Sequence, residues 1–235
     1  MKPIFSTALF LAVLLLASVS AAERAIEIRC ALGGDDAQAA ALAAKLPREY
    51  YVHDPAGKRK LGRIMLRSLG LDLRAESFVA ADGALVVTSD PDPASVKNPQ
   101  QVVGGFDVPA GSQKLILLVI PRGPTVIGSQ TFALDEGPQT FPVGSFKEVN
   151  LSPEPVRWVT TGQKTELPPG RALTMIPVPP ANAGGLGSVM CYRRNKQSWF
   201  PFYTGMWQIA PNLRGIQVVY ALAGKPDLKV VGFVE

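Results

Sequence analysis

The chain has 235 residues, 47% of them hydrophobic and 18% charged, with a formal charge of +5. That length suits one large β domain or two sandwiches of ordinary size, and leaves the number of domains open. A single histidine and two cysteines exclude a zinc site of ordinary composition and leave only one side chain suited to act as a base near neutral pH.

Residues 1–22 read as a secretory signal peptide. Lys2 precedes an apolar run from Ala8 to Ala17, followed by small residues at Ser18, Ser20, Ala21 and Ala22. Cleavage is expected after Ala21 or Ala22, and the mature protein is expected to be periplasmic or secreted, not membrane-spanning once the signal is removed. The full sequence has a pI of about 9.3, and without Lys2 the formal charge becomes +4, so the chain stays mildly basic. A solubilising surface accounts for that balance, and so does attraction to anionic envelope polymers.

Cys30 and Cys191 both survive processing, and an oxidising compartment makes them a disulfide candidate. Pairing would close a loop of 161 residues, for which chain entropy gives on the order of 4–5 kcal/mol. The alternative is two buried free thiols.

Asp35 to Leu46, "DDAQAAALAAKL", carries the one helix expected, with Asp35 as its cap and Pro47 after its stop. Beyond it, 21 prolines and 22 glycines in the whole chain separate apolar runs short enough to be strands. "EYYVHD" (49–54), "RIMLRSL" (63–69), "SFVAA" (77–81) and "ALVVTS" (84–89) come first, the last two flanking the hairpin signal Asp82-Gly83. The three prolines of "DPDPASVKNPQ" (90–100) mark a surface loop. "QVVGGFDV" and "KLILLVI" (114–120) follow, and the continuous apolar run of the second predicts burial on both faces. "SFKEVNL", "PVRWVTT", "KTEL", "ALTMIPV", "GSVMCYR", "SWFPFY", "GIQVVYAL" and "LKVVGFV" complete the set. In "GIQVVYAL" the shared parity of Ile216, Val218, Tyr220 and Leu222 predicts a half-buried strand.

The fold class expected is therefore all-β: an antiparallel, immunoglobulin-like sandwich in two related halves, with one short N-terminal helix. "FDVPAGSQKLILLVIP" (106–121) and "TELPPGRALTMIPV" (165–178) share a strand, a Pro-x-Gly turn and a second strand, which suggests duplication. The expected division is signal peptide 1–22, N-terminal segment 23–47, first half 48–137 and second half 138–235.

Chemistry-bearing patterns are few. His53 stands beside Asp54 in "YYVHDP", but neighbours on a strand point to opposite faces, and no Gly-x-Ser-x-Gly elbow occurs, so no catalytic residue is assigned. "GGDD" (33–36) and "DPDP" (90–93) lack calcium-loop spacing, and neither "VVGGFD" nor "AGGLG" lies between a strand and a helix, so no metal and no cofactor is assigned. Two basic clusters, "GKRKLGR" (57–63) and "YRRNKQ" (192–197), read as hairpin tips or edges that together would suit an anionic polymer if they met in space. "SWFPFYTGMW" concentrates aromatics that either stack on sugar rings or fill a core. The ligand-binding candidates are Trp199, Tyr203, Trp207, Arg193, Arg194 and Lys196.

Phe141-Pro142-x-Gly144-Ser145-Phe146, Asn150-Leu151-Ser152, Leu167-Pro168-Pro169-Gly170, Trp207 and "GIQVVYAL" together resemble an uncharacterised family of exported bacterial β-sandwich proteins, over roughly residues 100–235. The resemblance implies a signal-bearing sandwich protein and transfers no site. The Asn-Leu-Ser hairpin is also similar to hairpins in periplasmic accessory proteins of alginate O-acetylation, a similarity of one hairpin that carries no role over. Physically, Asn150 and Ser152 are expected to hydrogen-bond their own turn, with Pro153 and Pro155 ending the ladder. Pro153 also argues against use of Asn150 as a glycosylation acceptor.

The leading functional expectation is a non-enzymatic envelope protein acting by binding or assembly, with an envelope protein or polysaccharide as partner and no nucleic acid. The alternatives are a carbohydrate- or anionic-polymer-binding module and an enzyme of polysaccharide modification.

Overall fold

A computed structural model describes residues 22–34, 36–160, 162–175, 185–222, 224 and 227–235. The signal segment and Asp35 thus lie outside the described residues, apart from Ala22. The chain is all-β, with one α-helix and one 3-10 turn among the described residues. Its first run of elements is β1 (Arg24–Leu32), α1 (Asp36–Ala43), β2 (Arg48–His53), β3 (Lys60–Leu66), β4 (Gly70–Leu71), β5 (Glu76–Ala80), β6 (Gly83–Thr88), β7 (Val102–Val108), β8 (Lys114–Ile120) and β9 (Gln130–Asp135). The second is β10 (Phe146–Asn150), β11 (Val156–Thr160), β12 (Gln163–Leu167), β13 (Arg171–Met175), β14 (Leu186–Asn195), β15 (Ser198–Gln208), β16 (Gly215–Ala221) and β17 (Leu228–Val234). Among the described residues no helix is long and apolar enough to cross a membrane.

Four sheets form. The first run gives an outer sheet, β3-β2-β6-β7, and an inner sheet, β4-β1-β8-β9, with β5 also on β1. The second gives an inner sheet, β13-β10-β16-β17, and an outer sheet, β12-β11-β14-β15. Strand for strand the second run repeats the pairing of the first, including one parallel pair in each inner sheet: β1 with β8, and β10 with β16. The two hairpins equated from the sequence are not the corresponding ones. β7–β8 matches β15–β16 in this order, and β12–β13 matches the passage from β3 to β4 and β5. Their turns look alike because both carry the chain from an outer sheet to an inner one. Segment 23–47, set apart in the sequence reading, supplies β1, an interior strand of the first inner sheet.

Strand alternation assigns the layers. On β8, Leu115, Leu117 and Val119 face the first outer sheet, in a core with Ile26, Ile28, Val52, Ile64 and Val87. Ile116, Leu118 and Ile120 face the opposite way and meet Val149, Ile216, Val218 and Tyr220 of the second inner sheet. A third core, built on Phe146, Trp158, Val189, Cys191 and Trp207, fills the second sandwich. The result is a stack of four sheets, outer–inner–inner–outer. β8 is buried on both faces, as its apolar run requires. β16 is a correction: Gly215 to Tyr220 are all buried, not one face only, because the second inner sheet also has a sheet on either side.

At the rim of the central core a cluster of charges joins the two sandwiches. Arg29 of β1 holds Glu136 at 2.5 Å and Glu235 at 2.6 Å, and Arg214 holds the same two carboxylates. Burial alone pushes the Glu235 carboxyl up, but hydrogen bonds and charge from Arg29 and Arg214 outweigh it and hold the group below its ordinary range.

The stack also corrects the disulfide. Cys30 lies in the first core and Cys191 in the third, both buried and both free. Two inner sheets and the central core separate them, on the order of 20 Å at the usual sheet spacing, whereas a disulfide needs Cα atoms within about 7 Å. Burial, aided by the charges of Asp72 and Glu76, pushes the Cys30 thiol up to about 12. A thiol reagent should therefore label neither cysteine in the native protein and both in denaturant, with identical mobility on reducing and non-reducing gels; a mobility difference would refute the arrangement. Leu118→Ala, which opens a cavity in the central core, should lower the unfolding free energy by about 2–5 kcal/mol in chemical denaturation.

Candidate functional site

The outer face of the second outer sheet gathers the exposed apolar and aromatic side chains that the sequence grouped around "SWFPFYTGMW". Because Trp158 and Cys191 pair in register with their side chains turned into the core, Arg157, Tyr192 and Arg194 point away from it. The β14–β15 ladder slips between Cys191 and Tyr192, pairing Cys191 with Tyr203 but Tyr192 with Pro201. This bulge reverses the parity of the hairpin tip. Trp199, opposite Arg194, consequently faces outward, while Tyr203 and Trp207 face in.

Leu186, Met190, Tyr192, Trp199 and Met206 thus form an outward stripe along the hairpin. Met206 is 52% exposed. The Arg157 guanidinium lies over the Trp199 ring, 4.0 Å from its centroid, and donates to the Glu166 carboxylate from the neighbouring strand. Cation, ring and carboxylate are thereby held together on the outer surface of the sheet.

The six sequence-derived ligand residues do not form one site. Trp207 is 3% exposed, stacked on Phe146 at 5.2 Å and set edge-on to Trp158 at 5.6 Å. Tyr203 packs on the same core. Arg193 pairs with Glu154 at 3.6 Å. Arg194 donates to the Lys196 carbonyl, and Lys196 occupies the hairpin tip with φ 53°. Only Trp199 and Arg194 reach the outward face. The two basic clusters belong to opposite outer sheets, on the order of 30 Å apart across the stack, so they do not converge.

The remaining chemistry-bearing residues are enclosed. The His53 Nε2 nitrogen lies 2.9 Å from Thr88 Oγ1 and 3.1 Å from the Asp90 carbonyl oxygen, at zero exposure. Ser95 donates to Thr88, so this network ties the 3-10 turn Pro93–Lys97 of the expected loop to β6. Asp54 accepts from the backbone of Ala56 and Lys58 and shapes its own turn. Asn150 is fully used: Oδ1 accepts from Ser152 N and Oγ, and Nδ2 donates to the Glu154 and Leu167 carbonyls. Its burial closes it to glycosylation.

Glu148 was missed from the sequence. It shares the inward parity of Phe146 and Asn150, and that was the available signal. Its carboxyl faces the row Thr165, Trp158, Cys191 and Tyr203 across the third core. Thr165 donates to Oε2, while Oε1, Trp158 Nε1, Trp207 Nε1 and Thr160 Oγ1 are buried with no hydrogen-bond partner. Beside it, Gln217 lies over Gly232, where a Cβ would come within 2.7 Å of its amide. Phe146 likewise occupies the space above Gly215. Among the described residues no cation acts on Glu148, and burial, opposed only by the Thr165 bond, raises its pKa from 4.5 to about 7. Among the described residues no set of His, Cys, Asp and Glu gathers as a metal site.

Comparison with protein-family models gave no match, and comparison with curated proteins gave none.

Because the folded-state pKa of Glu148 is raised, its contribution to stability is full below pH 4.5 and is lost as the pH rises through about 7. Glu148→Gln should remove this dependence. Relative to the parent, the variant should gain roughly 3 kcal/mol at most between pH 4.5 and 8, read from urea unfolding by tryptophan fluorescence. Parallel stability curves for the two proteins would reject the assignment.

Proposed function

We propose that the protein is a non-enzymatic, exported envelope protein that acts by binding or assembly, and that the outer face of β14 and β15 is its docking surface. The observation that carries this reading is the outward stripe with the Arg157–Trp199 stack at its centre. Met, Tyr, Trp and Arg are the residues enriched in protein–protein interfaces, and the strand parity presents them side by side on one face. Trp199 has one ring face covered by Arg157, and its former companions Tyr203 and Trp207 belong to the core. This arrangement favours a protein partner over sugar stacking. Enclosure of His53, Cys30 and Cys191 supports a binding role over a catalytic one. Export rests on the signal-peptide pattern of residues 1–22 and on the resemblance carried by residues 141–170.

The test is cross-linking of the mature chain in envelope extract. The parent should yield a discrete adduct, and Trp199→Ala or Met206→Glu should reduce its apparent affinity at least tenfold with the thermal midpoint unchanged. Equal capture by parent and face variants would defeat the proposal.

A further inference from the structure

A second feature lies at the far side of the stack, in the first sandwich. A cleft of about 430 Å³ opens between the end of α1, the start of β2 and the loop 121–129. Its floor is part of the first core: Leu42, Tyr50 and Val126 are each at most 5% exposed, and Leu46 and Ile127 pack half-buried against them. The apolar interior is therefore reachable from the surface at this one end of the sandwich, a usual position for a small-molecule site in β architectures.

Its charged rim is one-sided. Lys45 and Arg48 line the mouth, and the one carboxylate among the lining residues, Glu49, is turned away by strand alternation. Glu49 accepts from Arg63 at 2.8 Å and from the Tyr51 hydroxyl at 3.2 Å. Arg48 donates to the Lys45 carbonyl at 3.0 Å, which holds its side chain at the mouth. An aliphatic floor beneath an uncompensated cationic rim is complementary to one kind of molecule. We infer that this cleft binds a free single-chain carboxylate amphiphile, alkyl chain on Leu42, Leu46 and Val126 and carboxylate on Arg48 and Lys45.

The experiment is titration calorimetry of the mature chain with monomeric octanoate, decanoate and dodecanoate. Decanol, decyltrimethylammonium and anionic phosphatidylglycerol vesicles serve as controls. One-to-one binding should tighten roughly fourfold per added methylene. Decanol and the cationic chain should bind at least tenfold more weakly than decanoate. Lys45→Glu with Arg48→Glu, both exposed, should weaken decanoate at least tenfold, and Ile127→Trp should do the same by filling the cleft. Absence of saturable binding, affinity independent of chain length, equal binding of the cationic chain, undiminished binding by the charge-reversed variant, or binding to vesicles alone would each overturn the inference. Should Ile127→Trp fail to fold, the charge-reversed variant and the chain-length series decide.

Discussion

Burial of both inner sheets on both faces is the constraint on which the rest of the molecule depends. Ile116, Leu118 and Ile120 meet Val149, Ile216, Val218 and Tyr220 in a core shared by the two sandwiches. Each inner sheet is thus a hydrophobic wall with a packed surface on either side, at about 25 cal/mol for each Å² of apolar surface removed from water. Where an inner strand lies between two cores, as β8 and β16 do, it cannot turn polar along one parity as an ordinary sandwich strand does. Glu148, Asn150 and Gln217 of the second inner sheet are therefore interior residues. The outer sheets turn one face to solvent, and the proposed docking stripe lies on one of them.

The interior treats charge in two ways. At the rim of the central core, Arg29, Glu136, Arg214 and Glu235 satisfy one another, and the carboxylate of Glu235 is held below its ordinary range. In the third core Glu148 has Thr165 and no cation, and is pushed the other way. Paired charges at a seam fix how the sandwiches meet, whereas a lone buried acid makes its sandwich responsive to proton concentration. The pairing of like topologies does not extend to this feature: the β1 residues that face the first core are Ile26, Ile28 and Cys30, whereas β10 places Glu148 in the third.

All-β class and strand positions were legible because turn residues interrupt short apolar runs, and "KLILLVI" announced its two-sided burial. "GIQVVYAL" did not, because Gln217 within an apolar strand mimics the polar position of a solvated face. The cysteine pairing was misread since separation along the chain carries no information about which core a strand faces. For the candidate face, strict alternation puts Trp199, Tyr203 and Trp207 on one side. The slip between Cys191 and Tyr192 parts them, and Pro201 beside it was the available signal, because a proline inside a strand marks an edge or a bulge. Arg157 was hidden for another reason: its partner ring lies two strands away.

The parallel pairs have a consequence for how the protein comes into being. Glu27 is paired with Lys114 and Phe146 with Gly215, so the first strand of each run has its second edge closed only after almost the whole run has been made, its other edge being taken earlier by β5 or by β13. Hairpins such as β2–β3, β6–β7, β11–β12 and β14–β15 close locally, and the outer sheets are built largely from them. Loop-closure entropy therefore favours these hairpins over the two parallel pairs, which join the ends of each run and close the longest loops in their sheets.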